Sequence, residues 1–502
     1  MQKKQILINA IMSLLQVVIV GGVLFVLYRF LLNTIGIKQL GIWSIVFSTS
    51  SIATIAKEGL SVINVKFVAQ YLARDEKITV SNVIQTSTIS ISLFSGITFL
   101  VAYPIARWLL GVIVPFDSLD LAYMILPYAF LSLWFIVIAS VFYAAIDGFE
   151  RIDLRAMILT GGAVLHLAFC YIIVPTHGLK GLAYAYVIKS LLVLIVSWII
   201  LKNQLSILPF MPYKWDFKLF KEMISYGLNM QAVTISQMLY DPITKALITR
   251  FGDLTLTGYY EMASRMLVQF RALLISANRV LVPTIANLRE RSPESIKDVY
   301  RESYNLLLYL ALPFFSAIIV FSPLISQLWI GYYEQNFVMF TVLLSIGWFI
   351  SSLACPAYFT NLGINELRWN TYSHIIIGVL NFSLGFVFGY LFGGTAVVVS
   401  WVISLITGSI IIPFMYHRRY KLPLVQLLPK EHISIGLASI AGASISMFLY
   451  HSLDGKFNPL INSSTVVFLF ITIIVFPFWT HPMRKRLIRW IAEELFMVKK
   501  RV

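Results

Sequence analysis

Residues 6–32, ILINAIMSLLQVVIVGGVLFVLYRFLL, are apolar almost throughout and contain one charged residue, Arg29. A helix that crosses the hydrocarbon layer of a bilayer needs about 20 such residues. The run follows Lys3 and Lys4, as the apolar part of a signal peptide would, but it is longer than such a segment and no small-residue cleavage site follows it. We therefore expect the first transmembrane helix here, with the N-terminus in the cytoplasm.

The composition of the whole chain agrees with this interpretation. Of its 502 residues, 59% are hydrophobic and 12% are charged. Soluble globular proteins carry about 25% charged residues, so the composition excludes a water-soluble enzyme and a disordered chain. The two cysteines, Cys170 and Cys355, lie in apolar stretches without metal-ligand spacing, and we expect two buried structural thiols. The sequence contains no nucleotide-binding loop, metal cluster or nucleophile triad.

The apolar runs and the breaks between them predict an all-α polytopic membrane protein with about fourteen transmembrane helices. Spans 2 and 8 are the least hydrophobic, because they are rich in Ser, Thr, Gln and Asn and contain full charges. Twelve is also an even number of spans, so a topology with twelve spans stays an alternative. The predicted spans are residues 7–32, 41–64, 81–103, 121–146, 156–174, 181–201, 222–249, 257–285, 303–325, 337–359, 370–392, 395–416, 433–452 and 462–480.

The distribution of Lys and Arg tests this topology. With the N-terminus inside, 27 of the 39 Lys and Arg residues fall in cytoplasmic segments, six fall outside and six fall within spans. Cytoplasmic loops of membrane proteins collect Lys and Arg, so we expect both termini in the cytoplasm and an even number of spans. The positive-inside distribution accounts for the net charge of +16, and nucleic acid is not an expected partner.

A weak internal repeat divides the first twelve spans into two sets of six. Gly36 precedes span 2 and Gly252 precedes span 8, while residues 153–155 (Asp-Leu-Arg) and 366–368 (Glu-Leu-Arg) enter spans 5 and 11. Because six is even, the two copies face the same way and are related by an axis along the membrane normal. The predicted domains are an N-terminal six-helix lobe (1–201), a basic cytoplasmic linker (202–221), a C-terminal six-helix lobe (222–416), two extra transmembrane helices (417–480) and a basic amphipathic cytoplasmic tail (481–502).

Charged residues within the predicted spans indicate function. A charge in hydrocarbon costs about 2.5–3.5 kcal/mol on insertion scales, and such residues usually face a cavity or a partner. Asp241 and Lys245 are four residues apart, as are Glu261 and Arg265. Each of these pairs can neutralise itself on one helix.

Other cations lack an acid at helical spacing. Lys57 has only its neighbour Glu58, which points about 100° away on a helix. At about 24 Å into span 2 and about 21 Å into span 8, Lys57 and Arg271 lie at similar depth. Such cations either pair with acids on other helices or line a water-filled cavity that selects an anion. The candidate substrate-binding residues are Lys57, Arg271, Arg265, Arg29, Arg279 and Lys189; the candidate ion-coupling acids are Asp241, Glu58 and Glu261, with Lys245 as a charge partner.

Together these features resemble a known family. The fourteen spans, the two lobes, the cation-rich span 8 and the motif Phe30-Leu31-Leu32-(x3)-Gly36-(x4)-Gly41-Ile42-Trp43 are similar to Wzx-type polysaccharide flippases. That family belongs to the multidrug/oligosaccharidyl-lipid/polysaccharide exporter superfamily. The resemblance covers the whole chain, although its motifs are diffuse.

The resemblance implies two lobes that alternate between inward-open and outward-open states. It also implies transport of undecaprenyl-diphosphate-linked oligosaccharide units from the cytoplasmic to the outer leaflet of the bacterial inner membrane, in O-antigen (lipopolysaccharide) or capsule synthesis. In the related lipid II flippases, arginines in spans 1, 2 and 8 hold the diphosphate. The resemblance implies that Arg29, Lys57 and Arg271 could play that part here, with two departures: span 2 carries Lys rather than Arg, and Arg29 lies near the outer end of span 1.

Two alternatives remain open. A multidrug antiporter of the same superfamily would need an acid for organic cations, but span 1 has no Asp or Glu. A membrane-embedded polymerase or ligase of lipid-linked sugars would need a large outer loop, and the outer loops here are short. We therefore expect a transporter without enzymatic activity or cofactor, driven by a proton or sodium gradient or the membrane potential. Expected partners are the isoprenoid-diphosphate-linked oligosaccharide, membrane lipids, and polymerase and chain-length proteins of the same pathway.

Overall fold

The computed structural model describes residues 2–227, 231–278, 281–453, 456 and 458–489, without the side chains of residues 2–4, 6, 7, 55–62, 224–227, 231–233, 276 and 277. These residues form helices with short connections and no strand among them, which confirms the all-α prediction. The α-helices are α1 (Gln2–Ser51), α2 (Lys57–Ala73), α3 (Lys77–Ile113), α4 (Phe116–Gly148), α5 (Ile152–Gln204), α6 (Phe217–Gly227), α7 (Gln231–Phe251), α8 (Leu254–Asn278), α9 (Leu281–Arg291), α10 (Ile296–Trp329), α11 (Gln335–Leu353), α12 (Cys355–Gly363), α13 (Arg368–Phe392), α14 (Gly394–Arg419), α15 (Ile433–Ser452) and α16 (Pro459–Thr480). Short 3₁₀ helices cover Ile52–Ala56, Pro293–Ser295, Leu424–Leu427 and Lys430–His432.

Helix α1 folds back on itself at Gly36. That residue has φ 78° and ψ 165°, a conformation that glycine adopts readily because it has no Cβ. Tyr28 and Ser44, eight residues to either side, donate hydrogen bonds of 2.7 and 2.9 Å to the same carboxylate, that of Glu261. In a straight helix these two residues would be about 24 Å apart, so the two arms of α1 lie side by side and supply spans 1 and 2.

Helix α5 folds back in the same way at Gly178, which has φ 56° and ψ −135°. The rings of His166 and Tyr186 lie 5.1 Å apart, although twenty residues of straight helix would separate them by about 30 Å. The arms of α5 therefore supply spans 5 and 6. The sequence marks both fold-backs only as glycines between apolar runs.

The described helices account for the fourteen predicted spans. Ten of the described helical stretches are long and apolar enough to cross a membrane, and the two that fold back supply two crossings each. Helices α7 and α8 cover most of spans 7 and 8, whose charges and polar residues lower their hydropathy, while residues 222–227 of span 7 lie in α6 and residues 281–285 of span 8 lie in α9. One feature was not predicted: the 3₁₀ helix Ile52–Ala56 interrupts span 2 and ends just before Lys57.

The chain forms two compact units, and the first comprises Met1–Met262 and Asn381–Val397. In this unit α4 packs against α5, α3 and α2, and α1 packs against α5. The second arm of α1 also crosses the start of α8 backbone to backbone. A Cβ added at Gly41 would overlap the backbone of Leu254, and one at Gly258 would lie 2.6 Å from the carbonyl oxygen of Ile37. Glycine at both positions permits this close approach.

Polar contacts near the start of α1 and just past its fold-back agree with the predicted topology, in which successive spans cross the membrane in opposite directions. Near its start, Asn9 Nδ2 donates a 2.8 Å hydrogen bond to the carbonyl oxygen of Glu150, in the turn between α4 and α5. Just past the fold-back, Lys38 forms a 2.6 Å ion pair with Asp117 at the start of α4. The segments assigned to one side of the membrane thus meet at one end of the unit.

The segment between α5 and α6 lies along α3. The backbone N–H groups of Tyr213 and Lys214 each donate a 3.2 Å hydrogen bond to Oε1 of Gln85. The indole N–H of Trp215 donates a 2.9 Å hydrogen bond to Ser90 Oγ. These contacts explain why α3 carries a buried row of Ser, Thr and Gln among its apolar residues.

The second unit comprises Ala263–Leu380 and Val398–Val502. Here α10 packs against α11, α15 and α16, and α9 packs against α12. Its core includes the buried side chains of Tyr309, Val466 and Phe470. The predicted domain boundaries stay a prediction, and residues 490–502 of the predicted amphipathic tail lie outside the described residues.

Apolar side chains cover the outer faces of several long helices. On α3, the side chains of Leu93, Phe94, Ile97 and Leu100 are more than 60% exposed. A contiguous apolar face of this kind is unusual on a protein that meets water and is expected for one that meets lipid. The two cysteines are buried and free, as the sequence predicted.

Candidate functional site

The first cluster of buried charges lies in the first unit around Lys245. Its ammonium nitrogen lies 2.5 Å from Oδ2 of Asp241 and 2.5 Å from Oε2 of Glu261. The side chains of Lys245 and Glu261 are 1% and 3% exposed, whereas that of Asp241 is 44% exposed. The Asp241–Lys245 pair follows the spacing of four residues. The pair between Lys245 and Glu261 joins α7 to α8, and no sequence spacing indicated it.

Glu261 is held by donors from three helical segments. Tyr28 on the first arm of α1 donates to Oε1, and Ser44 on the second arm donates to Oε2. Lys245 on α7 completes the set. Because each hydrogen bond to a charged group contributes about 1.5–3 kcal/mol, these contacts fasten the fold-back of α1 to α7 and α8.

The second cluster lies in the second unit around Arg271 on α8. The guanidinium carbon is 4.3 Å from the centre of the Trp348 ring, a cation–π contact. A long hydrogen bond of 3.4 Å runs from its Nη2 to Ser351 Oγ. The Cys355 thiol and the His374 ring also lie close enough to the guanidinium of Arg271 to interact with it electrostatically. Residues of α11, α12 and α13 thus surround this cation.

Arg271 lacks a carboxylate partner in the part of the chain whose side chains are described. Its Nε is buried without a hydrogen-bond acceptor among those residues, and the same is true of the indole nitrogen of Trp348. A positive charge held by one aromatic face, one hydroxyl and one thiol, all of them neutral groups, is only partly compensated. Such a group can bind an anion without first breaking an ion pair.

Lys189, in the first unit, also lies on an aromatic ring. Its ammonium nitrogen is 4.3 Å from the centre of the Tyr186 ring. The Tyr186 ring also contacts the His166 ring, with the ring centres 5.1 Å apart, and Nε2 of His166 lies 3.5 Å from the sulfur of Cys170. Among the described side chains no carboxylate pairs with Lys189, so it is a second partly compensated cation.

The remaining predicted site residues are less informative. Arg29 is exposed on the first arm of α1, and both it and Arg265 interact with other residues of the structure. The side chains of Lys57 and Glu58, and the whole of Arg279, lie outside the described residues. The predicted joint role of Lys57 and Arg271 therefore stays a prediction.

Sequence reasoning missed four residues that complete these clusters. Tyr28 and Ser44 carry no charge and lie in or beside apolar runs, so only the fold-back of α1 brings them to Glu261. Trp348 and Ser351 are three residues apart on α11, and no spacing relative to Arg271 indicates contact. Tryptophan in a predicted span could have been searched as a cation partner, since arginine favours its face.

Comparison with known proteins shows the family of the chain and solved structures with a similar fold. A family model for polysaccharide biosynthesis proteins matches residues 40–333, more than half of the chain. Among curated proteins no significant match was found. Three solved structures share this fold, and because their identities are low, the similarity shows the fold alone. They are the lipid II flippase MurJ, inward closed (TM-score 0.70, 14% identity, 96% of this chain and 100% of that chain), a multidrug resistance MATE family transporter of the MOP superfamily, inward-facing (0.69, 16%, 81% and 94%), and a MOP superfamily transporter from Pyrococcus furiosus (0.56, 14%, 83% and 94%).

Proposed function

The chain belongs to the polysaccharide biosynthesis protein family, and on that premise we propose that it is a flippase for lipid-linked oligosaccharides. The substrate would be an oligosaccharide unit joined through a diphosphate to undecaprenol. Alternating access would move it from the cytoplasmic to the outer leaflet of the bacterial inner membrane, in O-antigen or capsule synthesis. Polymerase and chain-length proteins of that pathway are the proposed protein partners.

Arg271 is the observation that carries this proposal. Its guanidinium rests on Trp348 and Ser351, with no carboxylate partner in the described part of the chain. The planar guanidinium matches two phosphate oxygens at once, and a diphosphate supplies several. A cation held ready by an aromatic ring therefore suits an anionic lipid headgroup better than an organic cation.

The test is Arg271→Ala in cells that depend on this protein for surface glycan. We expect glycan exposure per molecule to be abolished while the membrane protein level stays near that of the wild type. Arg271→Lys should keep partial activity, because the charge remains but the bidentate fork is lost. The control is Arg419→Ala, which removes an exposed ion pair with Glu366 and should leave activity intact. Wild-type exposure per molecule in Arg271→Ala would contradict the proposal.

Energy coupling through Asp241 completes the proposal. Of the two described acids in the first cluster, Asp241 has a side chain that is 44% exposed, whereas that of Glu261 is 3% exposed and enclosed by three donors. An exposed carboxylate paired with one ammonium can exchange a proton or sodium ion more readily than an enclosed one. We expect flipping to stop when proton and sodium gradients are collapsed, and Asp241→Asn to flip without this dependence. Flipping by the wild type that survives the collapse would reject coupling without rejecting the flippase.

A multidrug antiporter is the second candidate. The similarity to MATE family transporters and the exposed carboxylate of Asp241 favour it, since a carboxylate attracts organic cations. Arg271 opposes it, since its positive charge repels them. Expression in a drug-sensitive strain separates the two: lowered drug susceptibility without any effect on glycan exposure would support the antiporter.

The proposed orientation places both termini in the cytoplasm, because 27 of 39 Lys and Arg residues fall on that side. Reporter fusions after Lys4, Lys214 and Arg501 should be active only in the cytoplasm. Labelling of the C-terminus by an impermeant reagent from outside the cell would overturn this orientation.

A further inference from the structure

The contact between Arg271 and Trp348 contains two hydrogen-bond donors without acceptors. The Nε atom of Arg271 and the Nε1 atom of Trp348 are both buried, and neither has a partner among the described residues. About 90% or more of buried polar groups in proteins are hydrogen-bonded. Two donors without a described acceptor, on two residues in direct contact, mark a place where a ligand that accepts hydrogen bonds would be stabilised.

The two donors belong to groups in direct contact. The guanidinium carbon of Arg271 lies 4.3 Å from the centre of the Trp348 ring. A diphosphate presents several oxygens close together, so one such group can accept a hydrogen bond from each donor.

The donors also restrict the chemistry of the ligand. An indole N–H and a guanidinium can donate hydrogen bonds but cannot accept them. The ligand must therefore present several acceptors, and the positive charge of Arg271 selects acceptors that are anionic. A diphosphate has both properties, whereas an ammonium group has neither.

We propose that Trp348 binds the substrate diphosphate together with Arg271, through its indole N–H as well as through the contact of its ring with the guanidinium. This inference rests on the proposed function and adds a substrate-binding residue to it. In the conformation described here both nitrogens are closed to solvent. A ligand that satisfies them favours the conformation in which the site is open, because only there are the two hydrogen bonds formed.

The experiment measures binding of farnesyl diphosphate to the purified full-length protein in detergent, with farnesol as the uncharged comparison. Trp348→Phe keeps an aromatic face for Arg271 but removes the donor. We expect its affinity for farnesyl diphosphate to fall about tenfold, as for one hydrogen bond to a charged group. Its thermal midpoint without ligand should not fall, because the lost donor had no partner.

Two further variants separate binding from packing. Trp348→His keeps a ring N–H and should retain more affinity than Trp348→Phe. Trp134→Phe is the matched control, because the indole N–H of Trp134 already donates a 3.2 Å hydrogen bond to the carbonyl oxygen of Ser92. This control should lose thermal stability and bind farnesyl diphosphate with wild-type affinity.

The outcomes distinguish this inference from the proposed function. If Arg271→Ala abolishes binding while Trp348→Phe binds like the wild type, the role of Trp348 is overturned and the flippase proposal stands. Equal affinities in Trp348→Phe and Trp348→His would also overturn the donor role. If the wild type binds farnesol as tightly as farnesyl diphosphate, the anion site fails, and with it both proposals for Arg271.

Discussion

The clusters around Lys245 and Arg271 show two different ways of keeping a cation in a membrane protein. Lys245 lies between two carboxylates, and one of these, Glu261, receives further hydrogen bonds from Tyr28 and Ser44. Arg271 has an aromatic face and one long hydrogen bond. The first cluster is internally satisfied and the second is not.

This difference teaches how to tell a structural charge from a ligand-binding one. Removing one member of a satisfied buried cluster leaves an uncompensated charge and lowers stability strongly. Removing a charge that lacks a counter-charge relieves its insertion cost instead. The two clusters should therefore respond to loss of their cation with changes of opposite sign in stability.

The largest expected effect is that of Lys245→Met, which leaves Glu261 buried without its ammonium partner. We expect a loss of about 3–5 kcal/mol, seen as a lower membrane level and a lower thermal midpoint in detergent. Arg271→Met, the matched change in the other cluster, should not lower the midpoint. Adding Glu261→Gln to Lys245→Met should recover part of the loss. Equal midpoints for Lys245→Met and Arg271→Met would remove the distinction between the clusters.

A smaller effect is expected from removing the neutral donors to Glu261. Tyr28→Phe and Ser44→Ala should each cost about 1–3 kcal/mol, with little change in glycan exposure per molecule. Because both donors bind one carboxylate, their effects should be non-additive in a double-mutant cycle. Ser48→Ala is the control, since Ser48 Oγ donates only to the carbonyl oxygen of Ile45 in the same helix. Strict additivity of the two changes would argue against a shared carboxylate.

The fold-back that brings Tyr28 and Ser44 together can be tested at Gly36. Its φ of 78° with ψ of 165° lies in a region that is essentially restricted to glycine, so Gly36→Ala should cost about 1–3 kcal/mol. Gly22, a helical residue of the same arm with open space around its Cα, should respond in the opposite direction. Gly22→Ala is expected to stabilise by about 0.5–1 kcal/mol. The measurement is the thermal midpoint of each variant against the wild type: it should fall for Gly36→Ala and rise for Gly22→Ala. A midpoint of Gly36→Ala at or above that of the wild type would contradict the prediction.

The smallest effect concerns a basic group that is buried in neutral form, His481 at the end of α16. Burial lowers the pKa of His481 below its ordinary value of 6.5, and nearby Arg486 acts in the same direction while Glu431 opposes it. The unfolded chain therefore binds a proton more readily than the folded one. Stability is present above pH 6.5 and falls as the pH drops below it.

Thermal midpoints between pH 8 and pH 5 measure this dependence. His481→Asn, which keeps an acceptor for the N–H of Met483 that His481 Nδ1 binds at 3.1 Å, should have a flatter profile. His177→Gln, at an exposed position, should leave the profile unchanged. A profile for His481→Asn as steep as that of the wild type would assign the dependence to other groups.

The fold could be predicted from the sequence because its signals are local. The length of each apolar run, the glycines between runs and the side on which Lys and Arg fall are all readable without tertiary contacts. The pair Asp241–Lys245 was predictable for the same reason, since four residues separate its members on one helix. The interruption of span 2 at Ile52–Ala56 was not, because nothing in those residues forbids a regular α-helix.

The sequence by itself determined that this is an all-α polytopic membrane protein, and it predicted about fourteen spans with a set of charges inside them. Only the tertiary structure decided what each charge contacts. Glu261 contacts Lys245, Tyr28 and Ser44 because α1 folds back and α7 lies beside α8. Arg271 on α8 contacts Trp348 on α11. The physical reason is that a charge in an apolar environment costs free energy unless polar or aromatic groups surround it. That cost does not depend on where in the sequence those groups lie, so the packing of the helices decides which residues they are.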